Sequence, residues 1–366
     1  KVLSTIVKNL DKDKYDITVM TIDDVGIYTN EIKENARYKS CFKRLERGKN
    51  IFEKLYNYVQ INYIRKFLED NPKLFYKIFI KDKYDIEISF LENKCSKIIA
   101  SSPNKNSRKY LWIHIDLEKY NWVVGQFKNL QEQKEYYSRY CKIFCVSNSV
   151  KKSFDNIFNL NNKTYVQYNP NDEKVIVEKS KEIRELEMKS DKFKFITVGR
   201  LVEQKGYDRL LEAHRRLINE GFDYELWIVG SGGEYDKYND FIKKNNLTNN
   251  TILTGFQNNP YKYMFMADAY ICSSRAEGYS TVVTEALILQ LPIISTLCSG
   301  ATELLHNGEY GLLVNNDIEG VYNGMKKFLI DDKIYKYYKD KAIERSKDFK
   351  LLNTMRQIEE ILDNKC

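Results

Sequence analysis

The residues best suited to chemistry lie in the second half of the chain, directly after short apolar runs that are typical of buried β-strands. Arg200 and Lys205 follow one such run, which ends at Val198. An Arg fork and a Lys point charge on one loop suit a diphosphate, because both neutralise phosphate oxygens. Surface Arg and Lys residues are common, so this pair gains weight only from the motifs around it.

Two carboxylates, Glu277 and Glu285, lie in the run RAEGYSTVVTE at residues 275–285. The run joins a predicted strand to a helix that begins near Thr281, and a helix N-terminus offers free N–H groups to an anion. Gly278 leaves room for a close approach of a ligand. A carboxylate accepts two hydrogen bonds, which suits the vicinal hydroxyls of a sugar. A solvent-facing Glu and a helix cap would explain the same residues without a ligand.

Two further turns after strands present backbone groups. Gly230 lies in the run VGSGG, and Phe256 follows a Thr-Gly pair. A backbone edge of this kind hydrogen-bonds a flat base, although a simple tight turn is the alternative. In the first half, His114 ends an apolar strand, and Asp116 follows it. A His at a strand end is usually structural, but this position also suits a group that faces a ligand.

The elements that position these residues alternate between strands and helices, which predicts an α/β fold with doubly wound parallel sheets. In the first half the predicted strands are Tyr15–Ile22, Tyr84–Phe90, Lys109–Ile115 and Lys142–Ser147. The predicted helices there are Val2–Leu10, Asn50–Leu68, Lys73–Ile80, Gly125–Tyr140 and Ser149–Phe158. In the second half the predicted strands are Phe195–Val198, Glu225–Val229, Thr251–Thr254, Ala269–Cys272, Pro292–Ser295 and Gly311–Val314. Predicted helices there include Tyr207–Glu220, Tyr235–Asn245, Thr281–Leu289, Ile318–Leu329 and Leu351–Asp363.

Charge is distributed unevenly along the 366 residues. The net charge is +8, and the stretch Arg37–Lys83 alone has 13 Lys/Arg against 5 Asp/Glu. Because aromatic and aliphatic residues alternate with these charges, an anionic membrane surface is one predicted partner; two ordinary solvated helices are the alternative. A pI of about 8.8 with no recognised module argues against a nucleic acid partner. The seven scattered cysteines indicate no disulfide framework or metal site.

Together these motifs resemble glycosyltransferase family 4, the retaining group 1 enzymes of bacterial surface-polysaccharide synthesis with the GT-B fold. The resemblance rests on Glu277 and Glu285 with their seven intervening residues. It extends to Gly199-Arg200, Lys205-Gly206 and the segment 300–311. It implies two Rossmann-like doubly wound domains facing a cleft, with a C-terminal helix returning to the N-terminal domain. The implied donor-binding residues are Arg200, Lys205, Gly230, Phe256, Glu277, Gly278, Tyr279, Ser280, Thr281 and Glu285.

The resemblance also implies the domain organisation and the catalytic residues. Residues 1–170 would form the acceptor-binding domain, 171–192 a linker, 193–345 the nucleotide-sugar domain, and 346–366 the returning helix. The sequence begins inside a predicted helix, so the first strand and its Gly-rich turn are predicted to be missing from it. His114 and Glu277 are the implied catalytic residues, with no metal and no cofactor.

The implied activity is transfer of a hexose, with retention, from a nucleotide diphosphate sugar to a saccharide or polyprenyl-linked saccharide. A UDP-sugar is the predicted donor, and a GDP-mannose-dependent transferase is the competitor. The predicted location is the cytoplasm, at the inner face of the membrane. A non-catalytic nucleotide-sugar-binding protein and a GT-B-like epimerase of sugar nucleotides remain as alternatives from other classes.

Overall fold

The computed structural model describes residues 1–42, 51–182 and 190–364. The chain divides into two compact units. The first unit consists of residues 1–146, 151–170 and 352–366, and the second of residues 147–150 and 171–351. Both units are built from parallel strands that alternate with helices, as the alternation in the sequence predicts.

The second unit contains a six-stranded parallel sheet in the order β12-β11-β10-β7-β8-β9. Its strands are β7 (Phe193–Val198), β8 (Tyr224–Val229), β9 (Thr251–Gly255), β10 (Ala269–Cys272), β11 (Ile293–Thr296) and β12 (Leu312–Val314). Its helices are α9 (Glu173–Ser180), α10 (Tyr207–Asn219), α11 (Tyr235–Lys244), α12 (Tyr261–Phe265), α13 (Thr281–Ile288), α14 (Ser299–Leu304), α15 (Ile318–Ile330) and α16 (Asp332–Ser346). Short 3₁₀ turns lie at Glu203–Lys205 and His306–Gly308.

The central strands of this sheet are apolar because helices cover both of its faces. All four residues of β10 and all four of β11 are buried, which is the pattern that a doubly covered parallel sheet requires. Helix α10 buries Leu210, Leu211 and Leu217 at helical spacing against it. This covered sheet is the rigid support for the loops that follow each strand.

The first unit contains two separate parallel sheets among the described residues, β1-β2 and β3-β4-β5-β6. The strands are β1 (Thr18–Asp23), β2 (Arg37–Phe42), β3 (Ile86–Ser89), β4 (Arg108–Ile113), β5 (Lys142–Cys145) and β6 (Thr164–Val166). The helices are α1 (Val2–Asn9), α2 (Thr29–Asn35), α3 (Ile51–Val59), α4 (Lys66–Asp70), α5 (Pro72–Phe79), α6 (Lys94–Ala100), α7 (Leu130–Ser138) and α8 (Asn148–Phe158), with a π-helical turn at Gln60–Arg65.

The last helix, α17 (Leu351–Asp363), packs on the first unit, which confirms the predicted return of the C-terminal helix. The Tyr15 hydroxyl donates to Asp363 at 2.7 Å, and Arg108 donates to the Leu362 carbonyl at 2.6 Å. Ile358 is 1% exposed. The apolar face of α17 therefore packs on the first unit, as the helical spacing of its apolar residues requires.

Several elements differ from the sequence predictions. β2 lies in the basic stretch Arg37–Lys83, where only helices were expected. Its charged residues are exposed and alternate with less exposed ones, which is compatible with a strand that buries one face. The segment 171–192 was predicted as a linker, but it begins with α9, whose Ile176 is 2% exposed within the core of the second unit. Cys141 is disulfide-bonded, against the expectation from cysteine spacing. Residues 43–50 of the basic stretch lie outside the described residues.

Candidate active site

Glycines bring the ends of three neighbouring strands of the second unit close together. The Gly199 amide donates to Val229, and the Gly230 amide donates to Gly255 at 2.9 Å. Gly230 has φ +150°, and a Cβ there would lie 1.9 Å from the Gly199 carbonyl oxygen. No residue with a side chain fits at this point. Backbone packing therefore requires glycine at position 230, and its role in donor binding stays a prediction.

The loop after β7 is tied to the loop after β10. Gly206 has φ +65°, and a Cβ there would lie 2.1 Å from the Ser273 carbonyl oxygen. The Ser273 hydroxyl donates to the Lys205 carbonyl at 2.9 Å, and the Gln204 amide group donates to Ala276 at 2.8 Å. Strand order reverses between β7 and β10, since β8 and β9 extend on one side of β7 and β10 lies on the other. Open α/β sheets bind ligands at this reversal.

An ion pair occupies the reversal. The Lys205 Nζ lies 2.6 Å from Glu277 Oε1, and the Ser274 hydroxyl donates to the same oxygen at 2.6 Å. The Lys205 and Glu277 side chains are only 17% and 11% exposed. Burial lowers the pKa of Lys205, but the Glu277 carboxylate together with Cys272 and Tyr207 raises it more, so that pKa lies above its ordinary value. Lys205 therefore keeps its charge at the base of the site.

Arg200 and Phe256 lie at the exposed rim of the strand ends. Arg200 is exposed and makes no side-chain hydrogen bond or ion pair with any described residue. Phe256 is 49% exposed after β9. An exposed cation and an exposed ring beside a glycine floor are suited to an anion and a flat base respectively.

The segment from Gly278 to Glu285 places a helix N-terminus next to Glu277. Ser280 is the N-cap residue of α13 and is buried, and its side chain caps no backbone amide. The amides of residues 281–283 make no hydrogen bond with the described part of the chain. Tyr279 precedes the cap, and burial raises its pKa to about 12. Glu285 lies one turn into α13 and is 3% exposed.

His114 belongs to the first unit, at the end of β4, whereas the other predicted site residues belong to the second unit. Its Nε2–H donates to the Phe90 carbonyl at 2.8 Å, and its ring contacts the Phe90 ring. Burial lowers the pKa of His114 below its ordinary value, which favours the neutral imidazole. Asp116 Oδ1 accepts the Ser153 hydroxyl at 2.6 Å and two backbone amides of its own turn. That oxygen holds the turn.

Two site residues were missed by the sequence analysis. Ser274 is 2% exposed and fixes the Glu277 carboxylate, and no sequence pattern distinguishes it from other serines after strands. Arg275 forms a bidentate ion pair with Asp208, with N–O distances of 2.8 and 2.6 Å. Its place inside the motif was visible, but its partner lies 67 residues earlier. Arg275 therefore supports the loop from Glu203 to Gly206.

Two further histidines were predicted to be structural. His214 is fully buried in α10, with its ring nitrogens 2.7 Å from the Tyr224 hydroxyl and 3.0 Å from Thr251 Oγ1. His306 lies in a turn with φ +44°. His214 thus has both ring nitrogens occupied and belongs to the core of the second unit.

The two units of parallel sheet match the GT-B fold of solved glycosyltransferase structures. A family model described as glycosyl transferases group 1 matches residues 178–345. An uncharacterized glycosyltransferase of Methanocaldococcus jannaschii is 30% identical over 296 residues, which is 71% of each chain. The chain belongs to the group 1 glycosyltransferases.

Two further relatives and one solved structure are also similar to this chain. The 4-alpha-N-acetylgalactosaminyltransferase of Campylobacter jejuni that acts on N-acetylgalactosamine-N,N'-diacetylbacillosaminyl-diphospho-undecaprenol is 41% identical, but over only 43% of each chain. The capsular polysaccharide biosynthesis glycosyltransferase CapM of Staphylococcus aureus is 25% identical over 40% of this chain and 39% of its own. The structure of Anabaena HepE with UDP and glucose has a TM-score of 0.76 at 18% identity, covering all of this chain and 95% of that one.

Proposed function

We propose that this chain transfers a hexose from a nucleotide diphosphate sugar, with retention of anomeric configuration. The observation that carries the proposal is the Lys205–Glu277 pair at the reversal of strand order. It combines a buried cation for a diphosphate with a carboxylate for a sugar. The unbonded amides at the start of α13 and the exposed Arg200 are the other groups that a donor would engage.

In the proposed mechanism, charge develops on the leaving diphosphate as the glycosidic bond to it breaks. Arg200, Lys205 and the N-terminus of α13, with Ser280 and Thr281, stabilise that charge without a metal. Lys205 is held in place before the reaction by Glu277 and by the contact between its loop and Ser273, so this cation needs little reorganisation. Tyr279 and Gly278 contribute backbone contacts to the phosphate and the sugar.

Glu277 has one oxygen available for the donor sugar. Both of its contacts fall on Oε1, and Oε2 accepts no hydrogen bond from any described residue. We propose that Oε2 accepts from a hydroxyl of the transferred hexose and that Glu285 holds the ribose. Phe256 and Gly230 then lie beside the base. No protein nucleophile is assigned: an acceptor hydroxyl attacks the anomeric carbon on the face from which the diphosphate departs, and its proton passes to the leaving phosphate oxygen. Attack on that face preserves the configuration.

His114, in the first unit, is proposed as the second catalytic residue. Its Nε2 is committed to Phe90, so Nδ1 is the nitrogen left for a substrate hydroxyl. Because the pKa of His114 is lowered by burial, the ring is neutral, and its unprotonated Nδ1 can accept one hydrogen bond from a substrate hydroxyl. This role is separable from donor binding by mutation.

UDP-hexose is the proposed donor, and a saccharide or lipid-linked saccharide is the proposed acceptor. Support for UDP comes from the HepE complexes with UDP and UDP-glucose, which share the fold. Support for a polyprenyl-linked acceptor comes from the name of the Campylobacter relative, and support for capsule or surface-glycan synthesis from CapM. GDP-mannose remains the competing donor.

The test measures release of nucleoside diphosphate from UDP-hexoses, UDP-N-acetylhexosamines and GDP-mannose, with a bacterial lipid-linked saccharide extract as acceptor. Loss of one well-placed electrostatic contact costs about 10²–10³ in rate, so Arg200→Ala and Glu277→Gln should each lose about that much. Arg356→Ala is the matched control, because Arg356 is exposed on α17. Equal rates in Glu277→Gln and the control would refute the proposed site.

The same assay decides the second candidate, a non-catalytic nucleotide-sugar-binding protein. Calorimetric binding of a donor by the protein, without release of diphosphate with any acceptor, would favour it over the transferase. Release of GDP from GDP-mannose alone would change the proposed donor but would still support the transferase reaction. Inversion of configuration in the product, read by NMR of the anomeric proton, would reject retention while leaving transfer intact.

An anionic membrane surface is the proposed location of the reaction, at the cytoplasmic face. Helices α3 to α5 expose large apolar side chains, including Phe52 at 79% and Phe67 at 58%. Exposed lysines alternate with them, at positions 54, 66, 73, 77 and 81. No helix among the described residues is long and apolar enough to cross a membrane. Exposed apolar and basic residues on adjacent helix faces suit an interfacial site.

Co-sedimentation with vesicles of phosphatidylglycerol and phosphatidylethanolamine tests this location. Phe52→Ser with Phe67→Ser should weaken binding several-fold, whereas Leu352→Ser, which changes an exposed apolar residue of α17, should not. Binding should also fall with added salt, since the basic residues act through screened charge. Equal binding by all variants would refute the proposed surface.

A further inference from the structure

The loop that joins β4 to α7 exposes aromatic side chains on a fixed backbone. Tyr120 and Trp122 are 38% and 39% exposed, whereas Val123 is 1% exposed. Backbone hydrogen bonds from the Tyr120 amide to the Asp116 carbonyl (2.9 Å) and from the Gln126 amide to the Val123 carbonyl (3.0 Å) fold the loop into consecutive turns. The loop is therefore anchored through its buried residues and presents its aromatic ones to a ligand.

The indole of Trp122 is held by a buried carboxylate. Its Nε1–H donates to Glu92 Oε1 at 2.7 Å, and Glu92 is 1% exposed. The Glu92 carbonyl accepts the Tyr137 hydroxyl at 2.6 Å, which fixes this residue from the side of α7. Glu92 Oε2 accepts no hydrogen bond from any described residue. Because a buried carboxylate is unfavourable without a donor, the contact with the indole N–H favours one orientation of Trp122.

The same carboxylate acts on His114. Burial lowers the pKa of His114, and the negative charge of Glu92 opposes that shift, so the two side chains are close enough for their charges to interact. Glu92 follows β3 and His114 follows β4, and these strands pair in parallel. Open α/β sheets bind ligands at the carboxyl ends of their strands. The imidazole, the carboxylate and the indole therefore lie at the edge of this sheet that is suited to a ligand.

The part of Trp122 that is left for a ligand is its ring. The indole has one polar group, the N–H, and Glu92 already uses it. An aromatic face carries partial negative charge, and a carboxylate on the N–H increases it. Such a face repels the phosphates of a nucleotide. It attracts the C–H groups on the apolar face of a pyranose ring, because these carry partial positive charge.

We propose that Trp122 stacks on a pyranose ring of the saccharide acceptor and that Glu92 is the positioning residue that fixes the indole for this contact. These roles depend on the proposed transferase function, because the acceptor of that reaction is the ligand. A flat aromatic face selects among sugars, since an axial hydroxyl on the stacked side keeps the two rings apart. Trp122 is then a determinant of acceptor specificity.

Tryptophan fluorescence tests the stacking in the unaltered protein. The chain has three Trp residues, and Trp112 and Trp227 are 2% and 0% exposed, so acrylamide should quench mainly Trp122. Saccharides released by mild acid from the bacterial lipid-linked extract should reduce this quenching in a saturable manner. Absence of protection by these saccharides would overturn the proposal. Protection by UDP or by phosphatidylglycerol vesicles in place of saccharide would also overturn it, because the ring would then contact a base or a membrane.

Steady-state transfer to the same lipid-linked extract tests both residues. Trp122→Ala should raise KM for the acceptor about tenfold, which is the size of an aromatic stacking contact, with little change in KM for the donor. Glu92→Leu should act in the same direction, and Glu92→Gln, which keeps an oxygen for the indole N–H, should recover most of the loss. Tyr337→Ala is the matched control, because Tyr337 is an aromatic residue of α16 that is 47% exposed. An acceptor KM that is unchanged in Trp122→Ala, or raised equally in Glu92→Leu and Glu92→Gln, would contradict the assigned roles.

The two measurements separate failure of this contact from failure of the proposed function. Protection of Trp122 by saccharide, without release of nucleoside diphosphate from any donor, would support the contact and reject the transferase. Transfer that Trp122→Ala leaves unchanged, without protection by saccharide, would reject the contact and support the transferase. Because quenching is measured on the unsubstituted protein, it decides the proposal even where a variant fails to fold.

Discussion

Separating the Lys205–Glu277 pair should destabilise the protein much more than removing both charges together. At 2.6 Å and an effective dielectric of about 20, the Coulomb attraction is roughly 6 kcal/mol before desolvation is subtracted. Removing one partner of a buried pair costs about 3–5 kcal/mol, because the other charge stays buried without compensation. Lys205→Met and Glu277→Gln should each approach the lower end of that range.

The double variant Lys205→Met with Glu277→Gln should lose only about as much as one single variant. The coupling energy of this double-mutant cycle is then about 3 kcal/mol, measured by urea unfolding followed by circular dichroism at pH 7. The pKa of Lys205 is raised in the folded state. Its contribution is therefore fully present below pH 10.5 and is lost as the pH rises through the folded pKa. At pH 7 the whole effect is available.

The exposed pair Lys237–Glu234 supplies the matched control cycle. Its side chains are 64% and 31% exposed, and exposed pairs of this kind contribute little. No measurable coupling is expected for it. The losses in the free energy of unfolding at Lys205 and Glu277 could instead be additive, with a coupling energy no larger than that of the control pair. That result would refute the description of this contact as a buried and compensated ion pair.

Three further outcomes are expected. Gly230→Ala should lower stability by about 3 kcal/mol and abolish donor binding, since its φ and its backbone contact exclude a Cβ, while Gly233→Ala, with open space around it, should be near neutral in thermal unfolding. The folded pKa of His214 is lowered to about 3 by burial, so the free energy of unfolding should fall by up to about 1.4 kcal/mol per pH unit below 6.5, and His214→Gln should remove that slope in urea titrations. Arg275→Met should raise KM for the donor several-fold with a smaller change in kcat, because the ion pair with Asp208 positions the loop without touching the donor; a change confined to kcat would contradict this.

The second unit was largely predictable from sequence. Its strands are short apolar runs that end in glycine or charged residues, as in β7 before Gly199 and β10 before Ser273. A strand buried on both faces requires such a run, so the pattern and the structure share one physical cause. The motif around Glu277 lies between a strand and a helix as expected, after β10 and before α13, and the roles assigned to its residues stay predictions.

The first unit was less predictable, for an equally physical reason. β2 has the sequence RYKSCF, in which charges interrupt the apolar positions, and only Phe42 is fully buried. Its strand identity comes from pairing with β1, a contact that no local pattern encodes. The partners of Glu277 and Arg275 were missed similarly, because both ion pairs join residues about 70 positions apart.

The glycine contacts beneath the site show which positions tolerate substitution and which do not. Gly230 and Gly206 meet carbonyl oxygens at distances that leave no space for any side chain, so at these two positions the floor of the candidate site is backbone. We therefore expect substrate preference to depend on the rim, at Arg200, Phe256 and their neighbours. For engineering, this means that randomising the rim can redirect donor choice with the floor left intact, whereas a library that includes the floor positions would consist mainly of unfolded proteins.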